Sequence, residues 1–299
     1  MGSNFELGVV SNPTVSAKRI LEKGVQEIKR IESLLSEFRK DSLTSKINKN
    51  AGKEPVVLPS EVFQLLQRCC SLHKISNGFF DITVGPLKAL YQFNNTAFEM
   101  PQATEVSKAM QKVGTQHMVL NPEEQSVFLP LPGMKISFAG IGKGYAADRV
   151  KKLWQSEGIN NGYINASGDL CAFGNNSDGN AWKIGIAHPD DRSKNMFFVP
   201  ISGSAAATSG DYEQHFFYKG KRYSHNINPK NGLPLTGIKS VSVFSPSAEL
   251  SDALATAVYA MGAKKGMALL EQLPQTHAIL LDDQNNFEFT NGLRYEHID

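Results

Sequence analysis

The chain has 299 residues, 41% of them hydrophobic and 20% charged, with a formal net charge of +2. It is long enough to bury a substantial core as one large domain or two small ones. So small a net charge leaves no broad basic field, which argues against nucleic acid as a partner, and no stretch has the length and apolarity of a membrane-spanning helix.

The first residues carry no basic-then-apolar export signal. The compartment stays open between cytoplasmic and, by way of a removed segment, periplasmic or membrane-anchored. The three cysteines, Cys69, Cys70 and Cys171, fit no zinc spacing and read as free, buried thiols.

Asn4 to Val10 alternates as a strand does. Pro13 and Thr14 open a long amphipathic helix in which Ile20, Leu21, Val25, Ile28, Ile31, Leu34 and Leu35 recur at about 3.6-residue spacing. Ser36 to Gly52 is polar and reads as a loop with short turns. A second helix starts at Ser60, and Asn77-Gly78 ends it. His73, near its C-terminus, suits a surface or dipole-paired role. In the next stretch, Phe79 to Pro86, Asp81 stands among apolar residues. A buried carboxylate needs partners, so Asp81 is either a turn residue or a ligand contact. A short helix at Thr104–Val113 precedes two strands, His117–Leu120 and Ser126–Leu129, joined through Asn121-Pro122.

Met134 to Ala139 reads as a buried strand. Gly140, Gly142 and Gly144 follow, with Lys143 between the last two, and Tyr145 to Trp154 has helical spacing. A glycine turn at a helix N-terminus, with a lysine in it, can receive phosphate. It is neither a Walker A loop nor the dinucleotide fingerprint. The other reading of the glycines is close packing alone.

Gly162–Ala166, Asp169–Phe173 and Trp182–Ala187 read as strands of one sheet. Met196–Ser202, Ala205–Thr208 and a hairpin, Phe216–Tyr218 with Arg222–Ser224, follow. His225 to Pro234 is dense in turn formers and is either a plain surface loop or one that carries a site. After a strand at Ile238–Phe244, Ser245-Pro246 suits a helix start. The helix to Met261 holds Asp252 and Thr256 one turn apart, on one face. Such an oxygen pair on an apolar helix either bonds a neighbouring loop or binds a hard cation such as magnesium. A helix at Lys264–Leu270 and strands at Ala278–Leu281 and Phe287–Thr290 complete the chain. These elements make an α+β fold: one unit with mixed or antiparallel sheets and flanking helices, able to form two lobes with a site between them.

Several stretches, in order, resemble one family, the FAD:protein FMN transferases or ApbE family. Met1-Gly2-Ser3 is similar to its Met-Gly-Thr, and Ser36–Asn48 to its Ser-x-aromatic…Asp-Ser…Asn segment. Gly78–Pro86 resembles Gly-x-Phe-Asp-Ile-Thr-Val-Gly-Pro, and Gly140–Asp148 resembles Gly-Ile-x-Lys-Gly-x-x-x-Asp. Asn165–Leu170, Thr208–Tyr212, Ser224–Pro229 and Ser251–Thr256 are similar to later blocks. The resemblance implies one flavin-transferase domain over residues 1–299, of T-fold-like architecture. It implies an enzyme that, with Mg²⁺, cleaves FAD and transfers FMN to a Thr or Ser hydroxyl of an acceptor flavoprotein, such as a respiratory redox-pump subunit, releasing AMP. FAD pyrophosphatase activity and non-catalytic FAD binding are the alternatives. A membrane association would require a removed N-terminal lipoprotein anchor.

Carried over by position, the metal ligands are the Gly140 carbonyl, Asp252 and Thr256. Met1, Phe38, Phe79, Phe80, Asp81, Ser137, Lys143, His225 and Ile227 line the FAD site. Mg²⁺ and Lys143 neutralise charge; His225 is the first candidate base, with Asp252 as the alternative. Three positions depart from the family: Phe38 replaces Tyr, Ser137 replaces Asp, and Asn228 replaces the Asp of His-x-x-Asp-Pro.

Overall fold

The computed structural model describes residues 3–10, 16–91, 99–187, 194–201, 203–210 and 215–297. β1 (Phe5–Val9) leads to α1 (Ala17–Leu35), capped by Ser16, which accepts a hydrogen bond from Arg19 N. The expected start at Pro13-Thr14 lies outside the described residues. α2 (Leu43–Lys49), β2 (Val56–Val57), α3 (Ser60–Ile75), α4 (Gly85–Lys88) and α5 (Ala103–Met110) follow. A 3-10 turn at Thr115–His117 precedes β3 (Val119–Asn121) and β4 (Ser126–Phe128). Then come α6 (Gly142–Ser156), β5 (Gly162–Ala166), β6 (Asp169–Phe173), β7 (Trp182–Ala187), β8 (Asn195–Ile201) and β9 (Ala205–Gly210). The hairpin β10 (His215–Tyr218) and β11 (Lys221–Ser224) turns at Lys219 and Gly220, both at positive φ. β12 (Ile238–Ser245), α7 (Ala248–Met261), α8 (Ala263–Leu270), β13 (His277–Asp282), β14 (Phe287–Phe289) and β15 (Glu296–His297) complete it.

The main sheet runs β1-β5-β6-β9-β12-β13-β14, and every neighbouring pair is antiparallel. Both of its faces are covered. Cys171 and Ala205 pack with Trp154 and Ala248 on the side of α6 and α7. Their neighbours Ala172 and Ala206 pack with Val199 and Ile201 of β8 on the other side. That two-residue alternation is the pleat of a strand buried on both faces. β7 does not join this sheet, as its sequence suggested. It pairs with β8 in a second sheet, β15-β8-β7, laid over the first. Alternation fixes which face a residue takes but not which strand it pairs with.

α7 is buried nearly all round, from Ala248 to Ala260. Its N-cap is Ser247, whose hydroxyl accepts from Leu250 N, and not the expected Ser245. Ser245 instead bonds Ser251 Oγ at 2.8 Å, while Ser251 reaches the Ala205 carbonyl. These hydroxyls tie α7 to β9 and β12, where alanines leave room for close approach.

Two further expectations are corrected. The polar stretch after α1 is not all loop: Ser42 caps α2 by accepting from Ser45 N, and Thr44 and Ile47 are buried. In the run Met134–Ala139, Met134, Ile136, Ser137 and Phe138 are buried, but it forms no strand apart from an isolated bridge between Lys135 and Val84. Its backbone partners are elsewhere. The Asn48 side chain donates to Ile136 O at 3.0 Å and accepts from Ile136 N at 2.8 Å, and Ser137 N donates to Ile82 O. An amide side chain satisfies the groups that a neighbouring strand would otherwise pair.

Candidate active site

A cavity of about 1160 Å³ opens where the glycine turn, α7, the end of β9, the α3–α4 segment and the loop after β11 meet. α7 approaches the turn through glycine. A Cβ on Gly144 would stand 2.1 Å from the Ala248 carbonyl oxygen, and one on Gly140 would stand 2.9 Å from Thr256 Oγ1. Gly144 N donates to Asp252 Oδ2 at 3.1 Å. Asp148, one helical turn further along α6, accepts from Ala248 N at 3.1 Å and Glu249 N at 2.9 Å, capping α7 from outside. Burial raises the Asp148 carboxyl above the usual range, against the pull of those two N–H groups.

The turn thus differs from a phosphate cradle. Gly142 N is bonded to Phe138 O and Gly144 N to Asp252, so these N–H groups serve the fold. Three residues with oxygen donors, Gly140, Asp252 and Thr256, line the cavity. Thr256 Oγ1 also lies 3.4 Å from Ser209 Oγ of β9. Lys143 lines the cavity too, but its ammonium is 2.9 Å from Asp169 Oδ2, at the start of β6.

Ser137 is buried and donates to Glu37 Oε1 at 2.9 Å, so the carboxylate missing from this position arrives from the α1–α2 connection. Phe38, next to Glu37 in the chain, is 81% exposed on the cavity wall, the most exposed large hydrophobic among the described residues. Phe79 lines the cavity beneath Lys230, whose ammonium lies 5.7 Å from the ring. Phe80 borders the cavity, yet its side chain belongs to the core.

Asp81 also borders the cavity, but its oxygens are engaged. They accept from Thr83 N and Oγ1 and from Thr115 N and Oγ1, and His73 Nδ1 stands 3.2 Å away. Burial pushes this carboxyl up, and the bonds from His73, Thr83 and Thr115 outweigh it, holding the group below its usual value. His73 is therefore a bridge, which also meets the Phe80 carbonyl at 3.1 Å, and not a surface residue.

His225 and Ile227 enter from a loop that is laddered rather than open. Ser224 N donates to Leu235 O, Leu235 N to Asn226 O and Asn228 N to Leu233 O. Tyr91 OH pins it by donating to Gly232 O at 2.7 Å. Asn228 Oδ1 accepts from Lys230 N, a turn contact that an Asp would make equally well. Met1 lies outside the described residues.

The model of the ApbE family matches residues 1–280. The chain belongs to the ApbE family. It is 32% identical over 283 residues to an FAD:protein FMN transferase of Klebsiella pneumoniae, covering 94% of this chain and 86% of that one. An FAD:protein FMN transferase of Vibrio cholerae is 30% identical over 291 residues, covering 95% and 86%. Among solved structures, the ApbE protein of Thermotoga maritima superposes with a TM-score of 0.88 at 28% identity, covering 97% of this chain and 96% of that one. The flavinyl transferase ApbE of Pseudomonas stutzeri, in its apo form, gives 0.85 at 28% identity, covering 100% and 92%. The α+β fold with antiparallel sheets is that of these ApbE structures.

Among the described residues of this ApbE-family chain, no three His, Cys, Asp or Glu side chains gather as a metal cluster. The candidate donor set is mixed: a backbone carbonyl, one carboxylate and one hydroxyl. All are hard oxygens, and the cradle at Gly140 is one that a Cβ would fill. Few protein oxygens with room for others suits Mg²⁺. Sequence reasoning did not single out Glu37, Lys88, Asp148 or Asp169. Asp148 and Asp169 lie within quoted motifs, and an acid beginning an apolar strand was a usable signal for Asp169. For Glu37 and Lys88 only folding brings the signal, because Glu37 meets Ser137 from a distant part of the chain and Lys88 joins the cavity only through the packing of α4.

Proposed function

We propose that this chain is an FAD:protein FMN transferase that works with Mg²⁺. It would transfer FMN from FAD to a Thr or Ser hydroxyl of an acceptor flavoprotein, such as a respiratory redox-pump subunit, and release AMP. What supports the reading is that Gly140, Asp252 and Thr256 all line one cavity large enough for a dinucleotide, with Gly140 packed against Thr256. Those three groups would hold the cation, which when bound supplies positive charge against the diphosphate.

The protein's part is positioning. The Asp148 cap and the Gly144–Asp252 bond fix α7, so the donor pair is in place before substrate enters. Lys143 brings a second positive charge, already held by Asp169 and so fixed in direction. The acceptor hydroxyl attacks the FMN phosphorus and the bond to the AMP oxygen breaks. His225, on the laddered loop, takes the hydroxyl proton at a ring nitrogen. Exposed Phe38 offers the acceptor an apolar contact at the cavity.

Incubation with FAD, Mg²⁺ and a Thr-containing acceptor tests this. Covalent flavin on the acceptor with one AMP per transfer is the expected result. AMP with free FMN would mean pyrophosphatase activity, and intact FAD would mean a binding protein.

A further inference from the structure

The cavity extends beyond the oxygen donors. From Gly140 its wall passes back along Ser137 and Lys135 to α4. Here the Val84–Lys135 bridge and the 2.7 Å bond from Ser137 N to Ile82 O hold two chain segments together. Lys88, the last residue of α4, lines this part. Among the described residues its ammonium has no hydrogen-bond or ion-pair partner. Burial pulls it below the usual lysine value, and Glu37 is the charge that opposes this. Glu37 lines the same part of the cavity, anchored by the Ser137 hydroxyl at 2.9 Å.

Lys88 is partly buried and no protein group replaces the water it has lost, which points to an acceptor that arrives with a ligand. The neighbouring carboxylate narrows the ligand's chemistry. A lone cation would suit a phosphate. With Glu37 beside it, Lys88 offers a donor next to an acceptor, which matches a ligand edge with an acceptor next to a donor, and the carboxylate disfavours a phosphate at that point.

Building on the flavin-dinucleotide reading, the geometry points to a ring-reading pair in the cavity wall formed by α4 and the α1–α2 connection. Lys88 Nζ donates to a ring acceptor of the bound dinucleotide, and the Glu37 carboxylate accepts from the adjacent N–H. Both rings of FAD present such an edge: the flavin has carbonyls beside an imide N–H, and adenine has an amine beside a ring nitrogen. Ser137 acts through Glu37, as a positioning residue.

The test is equilibrium titration of the intact chain and of Lys88→Met with FAD, FMN and ADP, with circular dichroism to check the fold. FAD should weaken about tenfold, together with only one of FMN and ADP, and that one names the ring. Glu37→Leu should weaken the same half-ligand, which keeps the idea testable if Lys88→Met folds poorly. Binding unchanged within twofold for all three ligands overturns the pair. Equal weakening of FMN and ADP also overturns it, because that marks a phosphate contact. Failure of the unmodified chain to bind FAD removes the flavin reading itself, and the pair with it.

Discussion

Gly144→Ala probes the joint on which the site depends. The new Cβ would stand 2.1 Å from the Ala248 carbonyl oxygen, 2.5 Å from its carbon and 2.8 Å from Glu249 N. All three are backbone atoms, so no side chain can turn aside. α6 and α7 must separate, and the Gly144 N bond to Asp252 stretches with them. Overpacking costs about 1–3 kcal/mol, and loss of a hydrogen bond to a charged group about 1.5–3 kcal/mol. A total near 3 kcal/mol lowers Tm by roughly 5 °C for a chain of this size. Gly158→Ala is the control: φ is +81° there and nothing lies within 4 Å, so only backbone strain applies, about 1 kcal/mol. Calorimetry gives both Tm values, and AMP release gives activity. Gly144→Ala should lose most of its activity even where it remains folded, since Asp252 moves. A Tm within 1 °C of the parent with full turnover would show that the α6–α7 contact does not position the donors.

Lys143→Ala removes the cation 2.9 Å from nearly buried Asp169, so stability should fall by about 3 kcal/mol as well as activity. The double variant Lys143→Ala/Asp169→Leu should recover stability by denaturant titration but not turnover. Asp252→Ala should lower Mg²⁺-dependent AMP release at least about 100-fold, measured across a magnesium titration, with the fold retained by circular dichroism. His225→Ala should lose transfer about 100-fold in kcat, beyond any loss of FAD affinity; full turnover would remove the base assignment. Asp81 sets an acid dependence. Its folded carboxyl value is lowered, so its contribution is complete above the unfolded value of about 4 and is lost as pH falls through the lower folded value. Asp81→Asn should flatten the stability slope below about pH 4. Asp148, raised in the folded state, has the opposite sign, and its removal should flatten a decline that begins as pH rises past about 4.

Read alone, the sequence determined the elements whose signal is local. The amphipathic α1, the Asn77-Gly78 stop, the Lys219-Gly220 turn and the shared face of Asp252 and Thr256 each follow from neighbours within a turn or a hairpin. Ordered motifs carried the family. Tertiary structure decided what depends on distant partners. The run at Met134 is paired by the Asn48 side chain, β7 lies in a second sheet, and the turn's glycines admit α7 rather than cradle an anion. Glu37 meets Ser137 across about a hundred residues of chain, and Lys143 meets Asp169 from another element. Backbone periodicity says which way a side chain faces; only packing says what it finds there.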